Sequence, residues 1–196
     1  MLRRWLRLAR YAPQARVLPP RVALFHLRAR AAAARTGDQF SLMSATRPAD
    51  LAGLLGLARG AMRVVELGTG TGWTALSLAL AEAGRSVVTY DPIDRPQREL
   101  YLRLLDAGVR ARVTFVRAPG SDGPRDPRPV DLLYIDSDHE REATIREFGV
   151  WRPVLRAGAI VVFDDYGNPN YPGVREAVCE LSLAGEERGT LFIHRI

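Results

Sequence analysis

The sequence predicts an α/β protein with a doubly wound, mainly parallel sheet of about seven strands, helices on both faces and a helical N-terminal extension. Three observations predict it. Short apolar runs at 64–67, 86–90, 113–116, 130–135 and 159–163 alternate with stretches of helical periodicity, the rhythm of successive βαβ units. Gly68, Gly70 and Gly72 follow the first run directly and precede a helical pattern of Trp73, Leu76, Leu78 and Leu80. Acids close several of the runs: Glu66, Asp91, Asp136, Asp164 and Asp165. In an open parallel sheet the crevice beyond the carboxyl ends of the strands binds ligands, and polar residues belong there. The reading divides the chain into residues 1–45, a helical extension acting as substrate lid or packing segment, and residues 46–196, the ligand-binding domain.

Bulk properties fit that plan. A chain of 196 residues, 47% hydrophobic and 26% charged, is long enough for one well-buried domain with a modest extension. The single cysteine, Cys179, excludes an internal disulfide and fits a reducing cytoplasm. The formal charge is +6 and the pI about 10.2. Every basic side chain apart from histidine is arginine, a bias that resembles coding pressure from a GC-rich genome. Many of these arginines precede residue 36, outside the glycine-rich unit, which argues against a nucleic-acid partner. No apolar run is long enough to cross a bilayer.

In chain order, Leu2, Trp5, Leu6 and Leu8 form one face of a helix with Arg3, Arg4, Arg7 and Arg10 opposite. Pro19-Pro20 breaks it, and a second helix runs from Val22 to Arg35. Such a basic amphipathic segment lies on a membrane surface, closes a substrate pocket or simply packs on the core. Thr36-Gly37-Asp38 marks a turn; Phe40 and Met43, in the loop after it, serve as lid, substrate wall or, more simply, core. Thr46-Arg47-Pro48 starts a helix, because proline in the first turn sacrifices no hydrogen bond, and Gly60 ends it. The first strand and a helix over about 71–83 follow, stopped by Gly84. Ser86–Tyr90 is the second strand, 95–108 a single arginine-rich helix and Val113–Val116 the third strand. A proline-rich surface loop leads to Val130–Ile135, the fourth strand, covered on both faces. A helix over 138–155, strand Ala159–Phe163 with Gly158 in the turn before it, a helix from about Val174 and an end strand Thr190–His194 complete the chain.

A strand that breaks into a glycine turn lets a ligand approach the backbone, because no Cβ intervenes. This turn departs from the dinucleotide fingerprint, since its third glycine falls one residue early. Glu66 would also repel a pyrophosphate, whereas a carboxylate suits a cation. S-adenosylmethionine (SAM), with an ammonium, a sulfonium and no phosphate, meets these conditions better than a nicotinamide dinucleotide. Asp91, about 20 residues beyond the glycines, is placed to accept hydrogen bonds from ribose hydroxyls, or else caps the turn before Pro92. The loop 118–123 returns to the same sheet edge, where Ser121 would line an adenine pocket.

Asp136 and Asp138 follow the fourth strand, and Asp164 and Asp165 the fifth. Carboxylates gathered on one rim repel one another unless neutralised, and oxygen ligands of this kind suit magnesium, manganese or calcium. Ser137-Asp138-His139-Glu140 also fits a capping box, with Ser137 as N-cap, Glu140 as its partner and Asp138 favouring the helix dipole. His139 is then either a general base for a hydroxyl or a satisfied surface histidine.

Together these residues resemble the class I SAM-dependent methyltransferases, a Rossmann-like superfamily, over roughly residues 48–196. Val-Val-Glu-Leu-Gly-Thr-Gly-Thr-Gly at 64–72 is similar to the superfamily's first motif, and Asp91 to its ribose acid. Within it, the chain looks nearest to the small O-methyltransferases of the catechol and caffeoyl-CoA type and to the bacterial methyltransferase domain 24 family. Asp-Leu-Leu-Tyr-Ile-Asp-Ser-Asp-His at 131–139 and Leu-Arg-Ala-Gly-Ala-Ile-Val-Val-Phe-Asp-Asp-Tyr at 155–166 carry the latter resemblance. It implies that Glu66, Gly68, Thr69, Gly70, Gly72, Trp73, Thr74, Asp91, Ser121 and Asp136 hold SAM, with Trp73 and Thr74 bordering the sulfonium and the methionine carboxylate. It further implies Asp136, Asp164 and Asp165 as magnesium ligands and Asp138 or His139 as base. The chain departs from the pattern in carrying His139 where catechol-type enzymes have lysine, and Asp164-Asp165 where they have Asp-Asn. The implied activity is methylation of a small-molecule hydroxyl, with a divalent cation as a further option; RNA methylation, non-catalytic SAM binding and, behind them, an NAD(P)-dependent oxidoreductase are the alternatives.

Overall fold

A computed structural model describes residues 11–196, so the helix expected over residues 2–10 lies outside the described residues. Seven strands form one sheet: β1 (Arg63–Leu67), β2 (Ser86–Tyr90), β3 (Val113–Val116), β4 (Val130–Ile135), β5 (Leu155–Phe163), β6 (Gly185–Arg188) and β7 (Leu191–Arg195). Their spatial order is β3-β2-β1-β4-β5-β7-β6. The first five run parallel; β7 pairs antiparallel with β5, and β6 antiparallel with β7. Leu67, the last residue of β1, pairs with Tyr90 on one side and Ile135 on the other. The chain thus reverses its direction of travel across the sheet at β1, and a crevice opens at the carboxyl ends there.

Alternate residues of the strands face opposite layers. Val64, Leu132 and Val162 join one core with α1 (Pro20–Thr36), α2 (Gln39–Ser44), α3 (Pro48–Leu57), α4 (Trp73–Ala81), α5 (Gln97–Leu102) and α6 (Ala107–Arg110). Val65, Leu133 and Val161 join the other with α7 (Arg141–Trp151) and α8 (Pro172–Glu180). Helix α1 buries Val22, Phe25, Ala29, Ala32 and Ala33, the spacing of one helical stripe, in the same core as α4. Among the described residues no helix is long and apolar enough to cross a membrane.

The structure departs from the sequence reading in five places, each with a local cause. Phe40 and Met43 sit on a helix, α2, because Asp38 accepts the Ser41 N–H and caps it. The stretch 95–108 splits into α5 and α6, the second started by Asp106 accepting the Val109 N–H. The helix after β4 begins only at Arg141: Ser137 gives its hydroxyl to Glu147 and Glu140 makes no side-chain cap, so the capping box does not form. It ends at Trp151, where Pro153 enters a 3₁₀ turn. Strand β5 starts at Leu155, with Gly158 inside it where the pairing with β4 shifts register. Strand β6 went unforeseen because its four residues, Gly-Glu-Glu-Arg, are all exposed and carry no apolar alternation.

Candidate active site

A cavity of about 650 Å³, within the usual range for small-molecule sites, opens where the carboxyl ends of β1, β2, β4 and β5 meet. Its first wall is the glycine turn and the tip of β2. Gly68 has φ of 99°, and a Cβ there would lie 1.8 Å from the Asp136 carbonyl oxygen. Glycine is therefore needed at this position to seat β1 against β4. The Gly70 N–H donates to Asp91 Oδ2 at 2.9 Å, the Arg98 guanidinium donates to the same oxygen at 3.0 Å, and the Ile93 N–H donates to Oδ1 at 2.7 Å. Arg98 also donates to the Gly70 carbonyl at 2.9 Å, so the tip of β2 clamps the glycine turn.

Glu66, expected to meet the ligand's cation, does not line the cavity. It is 1% exposed beneath the turn, accepting the Thr89 hydroxyl at 2.5 Å, while Thr89 and Thr69 share a 2.6 Å bond. Burial pushes the Glu66 carboxyl up to about 8. Gly68, Thr69, Gly70, Trp73, Thr74, Asp91 and Asp136 do line the cavity; Gly72, at the start of α4, and Ser121 do not, and Pro119 and Gly120 face it instead. Trp73 is packed edge-on against Tyr101 at 5.1 Å and His26 at 5.6 Å, and its buried indole N–H has no hydrogen-bond partner among the described residues.

The second wall gathers the acids. The Tyr134 hydroxyl donates to Asp164 Oδ2 at 2.8 Å and to Asp136 Oδ2 at 3.3 Å. Burial, with the neighbouring Asp136 charge, pushes Asp164 up to about 8, and burial raises Asp136 as well. His139 Nε2 lies 3.2 Å from Asp136 Oδ1 and 3.3 Å from Asp165 Oδ2, and the ring stacks on Tyr171 at 4.5 Å. Burial pulls the imidazole down, but the hydrogen bond and charge of Asp136, with Asp165 and Asp164 behind, hold it above its ordinary value. His139 and Asp165 have φ of 60° and 55°, a left-handed backbone that costs a non-glycine residue on the order of 1–3 kcal/mol. Asp138 lines the cavity but is exposed, and its carboxylate takes no hydrogen bond from a described residue.

This arrangement bears on the expected metal. With Asp136 and Asp165 ionised, both only accept, and Nε2 carries the proton aimed at them. The imidazole N–H then fills the gap between them that a cation would occupy. Among the described residues no group of three or more His, Cys, Asp or Glu side chains is arranged to hold a metal ion. Asp136, Asp164 and Asp165 as placed do not fit a divalent cation.

The rim carries Phe40 and Met43, offered by the sequence as lid, substrate wall or core, and Ile93 and Tyr171, which the sequence reading missed. Phe40, Met43, Ile93 and Tyr171 are 40%, 83%, 54% and 43% exposed and all line the cavity, so Phe40 and Met43 are not core. The Arg95 guanidinium lies 3.7 Å from the centre of the Phe40 ring. Helix α2 is latched to the glycine turn by Ser41, which donates to Thr71 at 2.9 Å, and to α5 by Asp38, which accepts the Tyr101 hydroxyl at 2.5 Å. Tyr134 and Glu147 gave no signal, the first hidden in an apolar run and the second in a charged helix.

Comparison with known proteins agrees with this fold. The methyltransferase domain family matches residues 65–166, just over half of the chain. A methyltransferase from Geobacter sulfurreducens is 22% identical and superposes with a TM-score of 0.65 over 90% of this chain and 89% of that one. An O-methyltransferase from Bacillus cereus, solved with SAH, is 17% identical with a TM-score of 0.64 over 79% and 83%. CalS11, a TDP-rhamnose 3'-O-methyltransferase of calicheamicin biosynthesis, is 20% identical with a TM-score of 0.59 over 74% and 78%. These three share the fold. Uncharacterized protein R132 of Acanthamoeba polyphaga mimivirus is 36% identical over 53 residues, which are 26% of this chain and 24% of that protein. The chain belongs to the methyltransferase domain family, and its seven-stranded sheet has the Rossmann-like fold of the methyltransferases it superposes on.

Proposed function

We propose that the cavity binds SAM and that the protein methylates a hydroxyl oxygen of a small molecule, with His139 taking the proton. The observation that carries this reading is the 2.9 Å bond from the Gly70 N–H to Asp91 Oδ2. It makes the glycine turn and the tip of β2 one wall of a cavity whose other wall is the His139 cluster. SAM, when bound, supplies an electrophilic methyl group on a cationic sulfur. Asp91 keeps capacity for one ribose hydroxyl, because a carboxylate offers about four acceptor sites and three are in use. Gly68, Thr69, Gly70, Thr74 and Asp136, all on the cavity wall, would hold the methionine end, with Gly72 shaping the turn and Trp73 backing it from the core. Glu66 acts from beneath as a positioning residue, through Thr89 and Thr69.

His139 is favoured over Asp138 as base because it is held and Asp138 is not. With Nε2–H turned to the carboxylates, Nδ1 is the ring nitrogen left to accept a proton, and Asp136 and Asp165 stabilise the imidazolium that forms. No step is assigned to a divalent cation. The apolar rim of Phe40, Met43, Ile93 and Tyr171 suits an acceptor with a flat apolar body, and α2 of the N-terminal extension serves as its lid. The names of the Bacillus cereus protein and CalS11 support oxygen as the methylated atom.

The test is calorimetry with SAH, then transfer of labelled methyl from SAM to a panel of phenols and sugar hydroxyls by wild type and His139→Gln. Binding of SAH with His139-dependent transfer to a hydroxyl is expected. Absence of SAH binding sinks the cofactor reading, and transfer to nitrogen or RNA alone sinks the acceptor reading.

A further inference from the structure

Helix α7 carries a carboxyl that the proposed chemistry does not use. Glu147 is 4% exposed, yet it lines the cavity. Its Oε2 accepts the Ser137 hydroxyl at 2.5 Å. No described residue donates to its Oε1, and that oxygen is not sealed away from the cavity either. A buried carboxyl with only one of its two oxygens satisfied is costly, which marks Oε1 as an acceptor awaiting a donor.

The surroundings say where that donor belongs. Gly120 faces Oε1 so closely that a Cβ would lie 2.6 Å from it. The Trp151 indole donates to the Gly120 carbonyl at 2.8 Å, pinning this turn to α7. Pro119, Gly120, Ser137 and Glu147 thus frame one end of the cavity. A ligand with its ribose at Asp91 and its sulfonium toward His139 has one group left to place, the purine, and this end is the wall left to receive it.

We propose that Glu147 Oε1 accepts a hydrogen from the exocyclic amine of adenine, and that Glu147, positioned by Ser137, selects an amino-purine cofactor over an oxo-purine one. This rests on the proposal that the cavity binds SAM. In the oxo-purine an acceptor replaces that donor and would face an oxygen of the ionised carboxyl; burial pushes Glu147 up to about 7, so the comparison is made above that pH, where the carboxyl cannot donate.

Calorimetry of wild type, Glu147→Gln and Ser137→Ala against SAH and its deaminated form, S-inosylhomocysteine, tests the assignment. Wild type is expected to prefer SAH by roughly ten- to a hundredfold, the range for leaving a buried acceptor unpaired. In Glu147→Gln the amide can donate to the oxo group, and the preference is expected to fall to about threefold or to invert. Ser137→Ala frees the carboxyl and should narrow the preference as well; it keeps the test open should Glu147→Gln fold poorly in a thermal melt. If wild type binds neither compound, the SAM reading itself is overturned. If wild type binds SAH without preference, or keeps its preference in both variants, Glu147 does not read the purine.

Discussion

The two walls of the cavity satisfy their charges in opposite ways. On the β2 side, Asp91 takes hydrogen bonds from Gly70, Ile93 and Arg98, so a buried carboxylate meets a buried guanidinium with every contact in place before any ligand arrives. On the β4–β5 side, three carboxylates share one tyrosine hydroxyl, one imidazole and the Asn168 amide, Asp164 is pushed up to about 8, and two residues sit in left-handed backbone. The first wall is built to hold a shape. The second keeps unfavourable electrostatics and strain in place, which is where fold stability is spent on chemistry.

The largest break in this contrast is Asp91→Ala. It leaves Arg98 buried without its partner and unclamps the glycine turn, so a loss of about 3–5 kcal/mol is expected in urea unfolding, together with SAH binding. Stability within about 1 kcal/mol of wild type would show that Asp91 does not build the wall. His139→Gln makes the opposite break. Turnover is expected to fall by roughly 10²–10⁴ while SAH affinity and melting temperature stay close to wild type. A variant that loses affinity and activity together would move His139 to the structural side of the comparison.

The first wall was legible in the sequence and the second only by composition. Gly68, Gly70 and Asp91 announce themselves because their chemistry is local: a turn, a close approach and a strand tip at fixed spacing. The acids at 136, 164 and 165 were visible as a set, but what neutralises them was not. That depends on the backbone at His139 turning left-handed, which no periodicity encodes. Ser137-Asp138-His139-Glu140 obeys the capping pattern, yet Ser137 spends its hydroxyl on Glu147, a partner ten residues on whose approach only packing decides. The strands were readable because burial on both faces leaves an apolar signature; β6, wholly exposed, left none.

Glu66 sharpens the comparison, because it lies under the built wall and still carries an electrostatic cost. Its folded value is about 8 against an ordinary 4.5. Below the ordinary value both folded and unfolded chains hold the proton. Between the two values the unfolded chain releases it and the folded chain keeps it, so stability falls as pH rises through that window and levels off above it. The slope for one such group is at most about 1.4 kcal/mol per pH unit, and Asp164 and Glu147, also raised, slope the same way. The melting temperature of wild type is therefore expected to drop from about pH 5 to about pH 8, and Glu66→Gln to flatten part of that drop. An unchanged slope in the variant would remove Glu66 from the account.

The smallest expected effect is that of metal. Because the His139 N–H fills the gap between Asp136 and Asp165, a chelator should leave methyl transfer and SAH affinity unchanged, and millimolar magnesium should not raise the melting temperature. The informative companion is His139→Gly, which removes the ring and also relieves the left-handed strain. With the gap between Asp136 and Asp165 open, magnesium binding is expected to appear in calorimetry where wild type shows none. If wild type instead loses turnover on chelation and regains it with magnesium, the imidazole must leave its place between the acids during the reaction. The second wall would then be a metal site in waiting, not a histidine–carboxylate one.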